Sequence, residues 1–393
     1  MESVRGYPRR FGKYVLISPL AKGGMGELHL AYSGQAELKK LCVIKTILSH
    51  LADEEFSSRF LDEAKVVVKL SHGNLVPVFE AGEAEGQVYL VMEYIEGRDL
   101  RDVWHRLTDA GRLLPLELAL YVVREICRGL AYVHNFGELH LVHRDISPPN
   151  VLLSYSGEVK LTDFGVATST MKLQKTAPGI LLGKLSYMSP EQARNESVDA
   201  RADIYSVGVI LWELITGQRL FPPDKTQLER YERAINPVIP APSTVNKSLP
   251  PVLDLVVARA LAPRCESRIP EAELLRRELA SQLAKLSPTT DALSLQALLQ
   301  DLYGTSIEEE REARRALLEE MAPRIRDLMQ PTVAEIEGLA AENTAAAAMP
   351  EEPMLAPARL PPGTMLGDRY DIRAYIGEGG MGTVYLATHI EIG

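Results

Sequence analysis

The residues best suited to chemistry lie between Asp145 and Asp163. Asp145 has a carboxylate that can accept a proton from a hydroxyl, and Asn150, five residues later, has a neutral oxygen ligand. After the apolar segment 151–153, Asp163 adds a second carboxylate within Asp-Phe-Gly. Phosphoryl transfer needs a base for the nucleophile, hard oxygen ligands for Mg²⁺ and positive charge near the phosphates. This segment supplies the first two, so the positive charge must come from elsewhere in the chain.

Three predicted elements upstream can supply and position that charge. The segment 41–47 is typical of a strand and carries Lys45, and the periodicity of 53–70 predicts a helix in which Glu63 flanks the apolar stripe. Before them, the segment 22–26 reads Lys-Gly-Gly-Met-Gly between two alternating segments. Glycines let backbone N–H groups approach phosphates because no Cβ obstructs them.

Taken together, these motifs resemble eukaryotic-like serine/threonine protein kinases of the bacterial type. The resemblance covers residues 11–285 and rests on five motifs in the family's order, namely Cys42-Val43-Ile44-Lys45, Glu63, His143-Arg144-Asp145, Asn150 and Asp163-Phe164-Gly165. Each motif alone is weak, but their order and spacing make the match specific. The resemblance implies an α+β, two-lobed protein kinase fold, with a small antiparallel β-sheet lobe plus one helix (11–95) and a large, mainly helical lobe (96–285).

The resemblance also implies ATP and Mg²⁺ as cofactors, with Mn²⁺ as an alternative ion. Asp145, Lys45 and Glu63 would be catalytic, and Asn150 and Asp163 would hold the metal. The implied nucleotide contacts are Ala21, Gly23, Gly24, Gly26, Leu28, Val43, Lys45, Met92, Glu93 and Ile95. Ala21 replaces the family's first loop glycine and Val43 its usual alanine, so we expect a stiffer loop and a slightly narrower pocket.

Two further departures occur together in the implied active site. Ser147 stands where the family usually has a lysine, and Lys184 follows Gly183 where the family usually has a threonine. We hypothesise a swap in which Lys184 supplies the cation near the transferred phosphate and Ser147 the hydroxyl. The alternative is that Lys184 faces solvent. The departure also weakens the preference for Ser/Thr over Tyr as acceptor.

The resemblance assigns supporting roles to residues of the large lobe. Asp203, on the very apolar helix predicted over 199–216, would hold the backbone of the catalytic loop, and Glu191 would pair with Arg268. An activation-loop phosphate would bind Arg144. The candidate phosphorylation sites are Thr168, Ser169, Thr170 and Thr176, unless these hydroxyls only form turns.

Composition narrows the partners and the compartment. Lys and Arg number 43 and Asp and Glu 53, which gives a net charge of −10, and this argues against nucleic-acid binding. The three cysteines have neither metal-ligand spacing nor a disulfide pattern, so a reducing cytoplasm is the default. No segment approaches the roughly 20 apolar residues that span a bilayer, so we expect no membrane segment. The kinase resemblance implies protein substrates and self-association for autophosphorylation.

The remainder of the chain divides into three predicted segments. Residues 286–330 are expected to form a solvated helical extension of the large lobe, so a chain ending near Ser287 should keep full activity. Residues 331–362 are rich in Ala, Pro and Glu and are typical of a linker. Residues 363–393 repeat the glycine-rich motif, with Gly377, Gly379 and Gly382 in the family's positions. They are interpreted as the truncated start of a second kinase domain without a phosphotransfer role.

Two other functions compete with an active protein kinase. A nucleotide-binding scaffold with little turnover would fit Ala21 and Ser147, but the five motif residues argue against it. A kinase of small molecules is disfavoured by the complete segment 183–191, which in the family forms a platform for a peptide.

Overall fold

A six-stranded antiparallel sheet forms the first part of the chain. The computed structural model describes residues 6–23, 26–33, 40–48, 54–137, 141–164, 185–222, 226–329, 360–366, 370–379 and 382–389. The strands are β1 (Arg9–Phe11), β2 (Tyr14–Lys22), β3 (Gly26–Ser33), β4 (Lys40–Ile47), β5 (Val78–Ala84) and β6 (Gln87–Glu93). Their spatial order is β1-β2-β3-β4-β6-β5, and helix α1 (Glu54–Val67) lies between β4 and β5 in the chain. This is the predicted small lobe.

Strand alternation gives the sheet two apolar faces. One face buries its own cluster, made of Phe11, Tyr14, Leu16, Ala31, Cys42, Ile44, Tyr89 and Val91. On the other face, Leu30 of β3 is the cross-strand partner of Val43 of β4, which is in turn the partner of Met92 of β6. This second face meets two different neighbours, because Val43 and Met92 join the main core whereas Leu30 joins a separate cluster near the end of the last long helix.

Helices make up most of the large lobe. They are α2 (Leu100–Asp109), α3 (Leu116–His134), α4 (Pro190–Ala193), α5 (Arg201–Thr216), α6 (Gln227–Ile235), α7 (Pro242–Val245), α8 (Val252–Ala260), α9 (Ala272–Leu286) and α10 (Ala292–Met329). Almost every residue of α5 is buried, as its apolar sequence predicts for a central helix. A small sheet of β7 (Gly97–Asp99), β8 (Val151–Ser154) and β9 (Val159–Leu161) connects the linker between the lobes to the segment after the predicted catalytic loop.

Helix α10 differs from the expected solvated extension. Its first half buries Leu295, Leu299 and Tyr303 in the main core, and its last turns bury Met321 and Ile325 against Val15, Ile17 and Leu30 of the small lobe. At 38 residues the helix is about 57 Å long. It therefore packs against both lobes, because its apolar residues are placed at both ends.

The chain divides into two compact units, Met1–Gln330 and Pro331–Gly393. In the second unit β10 (Met365–Leu366), β11 (Tyr370–Gly379) and β12 (Gly382–His389) form an antiparallel sheet. The β11–β12 hairpin has the same pairing type as the β2–β3 hairpin, whose sequence it repeats. Among the helices of the described residues, none has the length and apolarity needed to span a bilayer.

Candidate active site

A buried aspartate on α5 organises the predicted catalytic loop. The Asp203 carboxylate accepts hydrogen bonds at 2.8 Å from the backbone N–H groups of both His143 and Arg144. It also contacts the His134 Nε2 atom at 2.8 Å. Complete burial acts to raise the pKa of Asp203, but the hydrogen bond and charge of His134 and the field of His143 outweigh burial, so the pKa is lowered. An ionised Asp203 therefore holds the loop as the resemblance implies, whereas no sequence motif indicated a role for His134.

The catalytic loop is fixed at several further points. The Asn150 side-chain amide donates to the Asp145 carbonyl at 2.7 Å, and the backbone N–H of Asn150 donates to the Ser147 carbonyl at 2.9 Å. Gln192 donates to the Arg144 carbonyl at 2.9 Å. The sequence did not indicate this role for Gln192. Arg144 has a φ of +64°, a left-handed conformation that a large side chain adopts only when its surroundings enforce it.

Lys45 and Asp163 meet although they come from different lobes. The Lys45 Nζ atom lies 2.5 Å from the Asp163 Oδ1 atom, and both side chains are partly exposed. Asp163 has a φ of +59°, and the neighbouring Phe164 ring packs on His143 with centroids 4.6 Å apart. The structure thus pairs the Lys45 ammonium with the Asp163 carboxylate and places the Asn150 amide on the Asp145 carbonyl. The catalytic and metal-binding roles of these residues stay predictions.

Burial dominates the electrostatics of Glu63. Burial raises the pKa of the Glu63 carboxyl to about 7, and the positive charges that oppose this rise belong to Arg144 and Arg59. The pairing of Glu63 with Lys45 that the resemblance implies stays a prediction.

Several residues predicted to contact the nucleotide lie on the second sheet face. Val43 and Met92 are buried, Leu28 packs against the same core, and Thr162 beside Asp163 contacts the Met92 sulfur at 4.0 Å. Leu28 and Lys45 are cross-strand partners. These contacts bring the predicted roof of the pocket and the predicted phosphate-binding lysine onto one face.

The glycine-rich loop is described at its two ends. Ala21 and Lys22 belong to β2 and pair with Leu28 and Glu27 of β3, so Ala21 holds the extended backbone expected for it. The backbone N–H of Gly23 donates to the Gly26 carbonyl at 2.9 Å. A Cβ on Gly26 would lie 2.0 Å from the Thr46 carbonyl oxygen. Strand packing therefore requires glycine at position 26, whether or not a phosphate binds to the loop.

The segment from Met92 to Gly97 links the two lobes. The backbone N–H of Glu93 donates to the Pro77 carbonyl at 2.9 Å, and Ile95 packs against the main core. A Cβ on Gly97 would lie 2.1 Å from the Leu153 carbonyl oxygen, so the linker approaches β8 closely. Several predicted residues lie outside the described residues, namely Gly24, Gly165, Thr168, Ser169, Thr170, Thr176, Gly183 and Lys184.

The donor set fits a hard divalent cation bound together with phosphates. Mg²⁺ in proteins is usually held by one or two carboxylates plus phosphate oxygens and waters rather than by a full protein cage. Asp163 offers a carboxylate, and the Asn150 nitrogen is engaged by the Asp145 carbonyl, so its amide oxygen is the atom left to meet a metal. No group of three or more His, Cys, Asp or Glu residues suited to a metal occurs within the described part of the chain.

Comparison with known proteins agrees with this geometry. The sequence model of the family described as "Protein kinase domain" matches residues 14–280. The chain belongs to the protein kinase domain family. Its two-lobed architecture is the protein kinase fold, and the family generally uses ATP and Mg²⁺. The kinase domain of Mycobacterium tuberculosis PknI, a solved structure, matches with a TM-score of 0.55 at 27% identity, covering 70% of this chain and 98% of that domain.

Three curated relatives of this kinase-family chain are bacterial kinases. Tyrosine-protein kinase MasK of Myxococcus xanthus is 36% identical over 319 residues, 79% of this chain and 49% of the relative. Serine/threonine-protein kinase PksC of Streptomyces coelicolor is 40% identical over 274 residues, 68% of this chain and 48% of the relative. Serine/threonine-protein kinase PknB of Mycobacterium tuberculosis is 36% identical over 274 residues, with coverages of 68% and 42%. The chain thus spans about half the length of the curated relatives it matches.

Proposed function

We propose that this chain transfers the γ-phosphate of ATP to serine and threonine hydroxyls of proteins in bacterial signalling, with autophosphorylation. The observation that carries the proposal is the convergence of Lys45 and Asp163, 2.5 Å apart, beside a catalytic loop that the buried Asp203 holds through two backbone N–H groups. Positioning of charge is most of what phosphoryl transfer asks of a protein.

Each residue in this arrangement has a proposed role. Lys45 donates to the phosphates and Asp145 orients the acceptor hydroxyl and takes up its proton. Asp163 and Asn150 hold Mg²⁺, which when bound neutralises charge that develops on the phosphates. Glu63 is the residue that pairs with Lys45 when the site is occupied. The backbone of Glu93 and Ile95 binds the adenine ring, with Met92 behind it and Val43 above it, while Ala21, Gly23, Gly24, Gly26 and Leu28 cover the nucleotide.

The choice between serine/threonine and tyrosine as acceptor is a separate part of the proposal. PksC and PknB carry serine/threonine kinase names, whereas MasK carries a tyrosine kinase name. We infer serine and threonine from the overall motif set. We also propose that Lys184 supplies the positive charge that the family usually places at the position of Ser147. Activation-loop phosphorylation is proposed on one of Thr168, Ser169 and Thr170.

The domain assignment and the setting are proposed as well. Residues 11–285 form the kinase domain, 331–362 a linker, and 363–393 the start of a second kinase domain without a phosphotransfer role. The β11–β12 hairpin supports this last assignment because it repeats both the sequence and the pairing of β2–β3. We place the activity in the cytoplasm, with self-association during autophosphorylation.

The test is phosphate transfer from labelled ATP with Mg²⁺, comparing the wild type with Asp145→Asn. The acceptors are the chain itself and a generic basic protein, and acid hydrolysis identifies the labelled amino acid. We expect phosphoserine and phosphothreonine from the wild type and none from the variant. Phosphotyrosine alone would overturn the acceptor assignment. Nucleotide binding without transfer would instead favour the scaffold, with Ala21 and Ser147 as its first suspects.

A further inference from the structure

Helix α10 contacts both lobes and the linker between them. Its first half belongs to the large lobe, where Leu295 and Leu299 are fully buried. Tyr303 donates to Asp102 at 3.1 Å, and Arg112 pairs with Asp301 at 2.7 Å. Since both of these polar contacts reach α2 or the turn after it, this half of the helix is fixed on the large lobe.

The middle of α10 contacts the interlobe linker through two arginines. Arg311 donates to the Glu96 carboxylate from two of its nitrogens, at 3.2 and 3.3 Å. Arg314 pairs with the other oxygen of Glu96, donates to the Tyr94 hydroxyl at 3.0 Å and lies over the Tyr94 ring. Tyr94 and Glu96 flank Ile95, one of the residues proposed to bind adenine. The two arginines therefore restrain the linker on both sides of that contact.

The end of α10 packs under the small lobe. Ile325 is fully buried and Met321 nearly so, in a cluster with Val15, Ile17 and Leu30. Leu30 is the direct cross-strand partner of Val43, the proposed roof over adenine. The helix end thus supports the same sheet face that covers the nucleotide.

We propose that α10 is an interlobe helix that holds the lobes and their linker in the arrangement that binds nucleotide. Arg314 is a positioning residue for the linker, and Ile325 anchors the small lobe. The inference rests on the proposed function, because it concerns the nucleotide site of that activity. A protein whose binding-competent arrangement is only partly populated binds its ligand more weakly by that fraction. Releasing the helix should therefore weaken nucleotide binding more than the chemical step.

The experiment uses the full chain with Arg314→Gln and with Ile325→Asp. Arg326→Gln and Leu293→Asp are the matched controls, since both positions are exposed on the same helix. The dissociation constant for MgATP is measured by calorimetry, and kcat and both KM values by phosphate transfer. We expect the Kd and the KM for ATP to rise about threefold in Arg314→Gln and about tenfold in Ile325→Asp. The KM for the acceptor and kcat at saturating ATP should stay within about twofold.

A cycle with Glu96→Gln separates positioning from general destabilisation. If Arg314 acts through Glu96, the variant that carries both substitutions should bind MgATP about as well as whichever single variant has the higher Kd. Arg314→Lys should recover part of the affinity. The cycle also decides the matter if Ile325→Asp does not fold. An unchanged Kd in a folded Arg314→Gln chain, or fully additive losses in the cycle, would overturn the proposal. Because Kd needs no turnover, the variants decide it even if the wild type transfers no phosphate.

Discussion

Arg268 and Glu191, 77 residues apart in the chain, form a buried two-point ion pair. Arg268 donates to the two Glu191 carboxylate oxygens at 2.7 and 3.1 Å, and the two side chains are 0% and 7% exposed. Burial acts to raise the pKa of Glu191, but the hydrogen bonds from Arg268 and from the backbone outweigh it, so the pKa is lowered. This is the pair that the sequence predicted, and it joins α4 to the segment before α9.

Removing one partner of this pair should strongly destabilise the protein. Glu191→Gln leaves the Arg268 guanidinium buried without its counter-charge, which typically costs about 3–5 kcal/mol. Urea unfolding of the full chain measures the loss, with Glu266→Gln at an exposed neighbouring position as the control. A loss below about 1 kcal/mol, as for a surface pair, would contradict the prediction.

Two glycines of the glycine-rich loop are expected to serve different purposes, with Gly26 needed for strand packing and Gly23 for phosphate binding. Gly26→Ala should destabilise the nucleotide-free protein by about 1–3 kcal/mol, because the new Cβ would meet the Thr46 carbonyl at 2.0 Å. Gly23→Ala meets its nearest atom at 3.7 Å, so its stability should be unchanged. If the loop binds phosphates, Gly23→Ala should still lower the affinity for MgATP. Thermal unfolding and calorimetry test both points, and equal destabilisation by the two variants would reject the distinction.

Glu63 should make the stability depend on pH. Its pKa is about 7 in the folded protein against an ordinary 4.5, so the folded state binds more protons between those values. Stability therefore falls as pH rises from about 4.5 to about 7. Glu63→Gln removes this dependence. The free energy of unfolding of the variant, relative to that of the wild type, should therefore increase from pH 5 to pH 8.

A carboxylate in the same lobe provides a control of opposite sign. Burial acts to raise the pKa of Glu80, but hydrogen bonds from Lys13, Tyr89 and Tyr14 outweigh it and lower the pKa. Its stabilising contribution is present above pH 4.5 and is lost as pH falls further. The loss of stability in Glu80→Gln, relative to the wild type, should therefore be largest near neutral pH. The same pH trend for both variants would show that Glu63 is not the cause.

The position at which the chain is shortened should decide whether activity survives. A chain ending at Gln330 keeps the whole first compact unit and should retain kcat and KM. A chain ending at Ser287 lacks α10 and would expose the core that Leu295 and Leu299 cover. We therefore expect the shorter chain to lose stability and nucleotide affinity, contrary to the expectation from sequence. Transfer assays and thermal unfolding of both chains test this, and full activity of the shorter chain would restore the earlier view.

The proposed swap of Lys184 and Ser147 has a kinetic test. Lys184→Ala should lower kcat about tenfold if one transition-state charge contact is lost, since each factor of ten corresponds to about 1.4 kcal/mol. Ser147→Lys in that background should restore part of the rate, because it returns the cation to the family's usual place. An unchanged kcat in Lys184→Ala would reject the swap and favour a lysine that faces solvent.

The sequence by itself determined the fold class and was enough to propose the residues of the candidate site. Lys45, Asp145, Asn150 and Asp163 were proposed as site residues from local motifs, because phosphoryl transfer limits the residue types that can serve it, and Asp203 was proposed from the family resemblance. The helix predicted over 199–216 also agrees closely with α5 (Arg201–Thr216), because helical periodicity and apolar content are local properties.

Only the tertiary structure decided how distant segments meet. His134 supports Asp203, Gly26 is required by a carbonyl of the next strand, and Glu63 lies in the field of Arg144. In α10, an apolar stripe indicates that a face is buried but not against what, because the stripe has the same period whichever neighbour it meets. Packing placed one end of that helix on each lobe and its arginines on Glu96, a relationship between parts of the chain more than 200 residues apart.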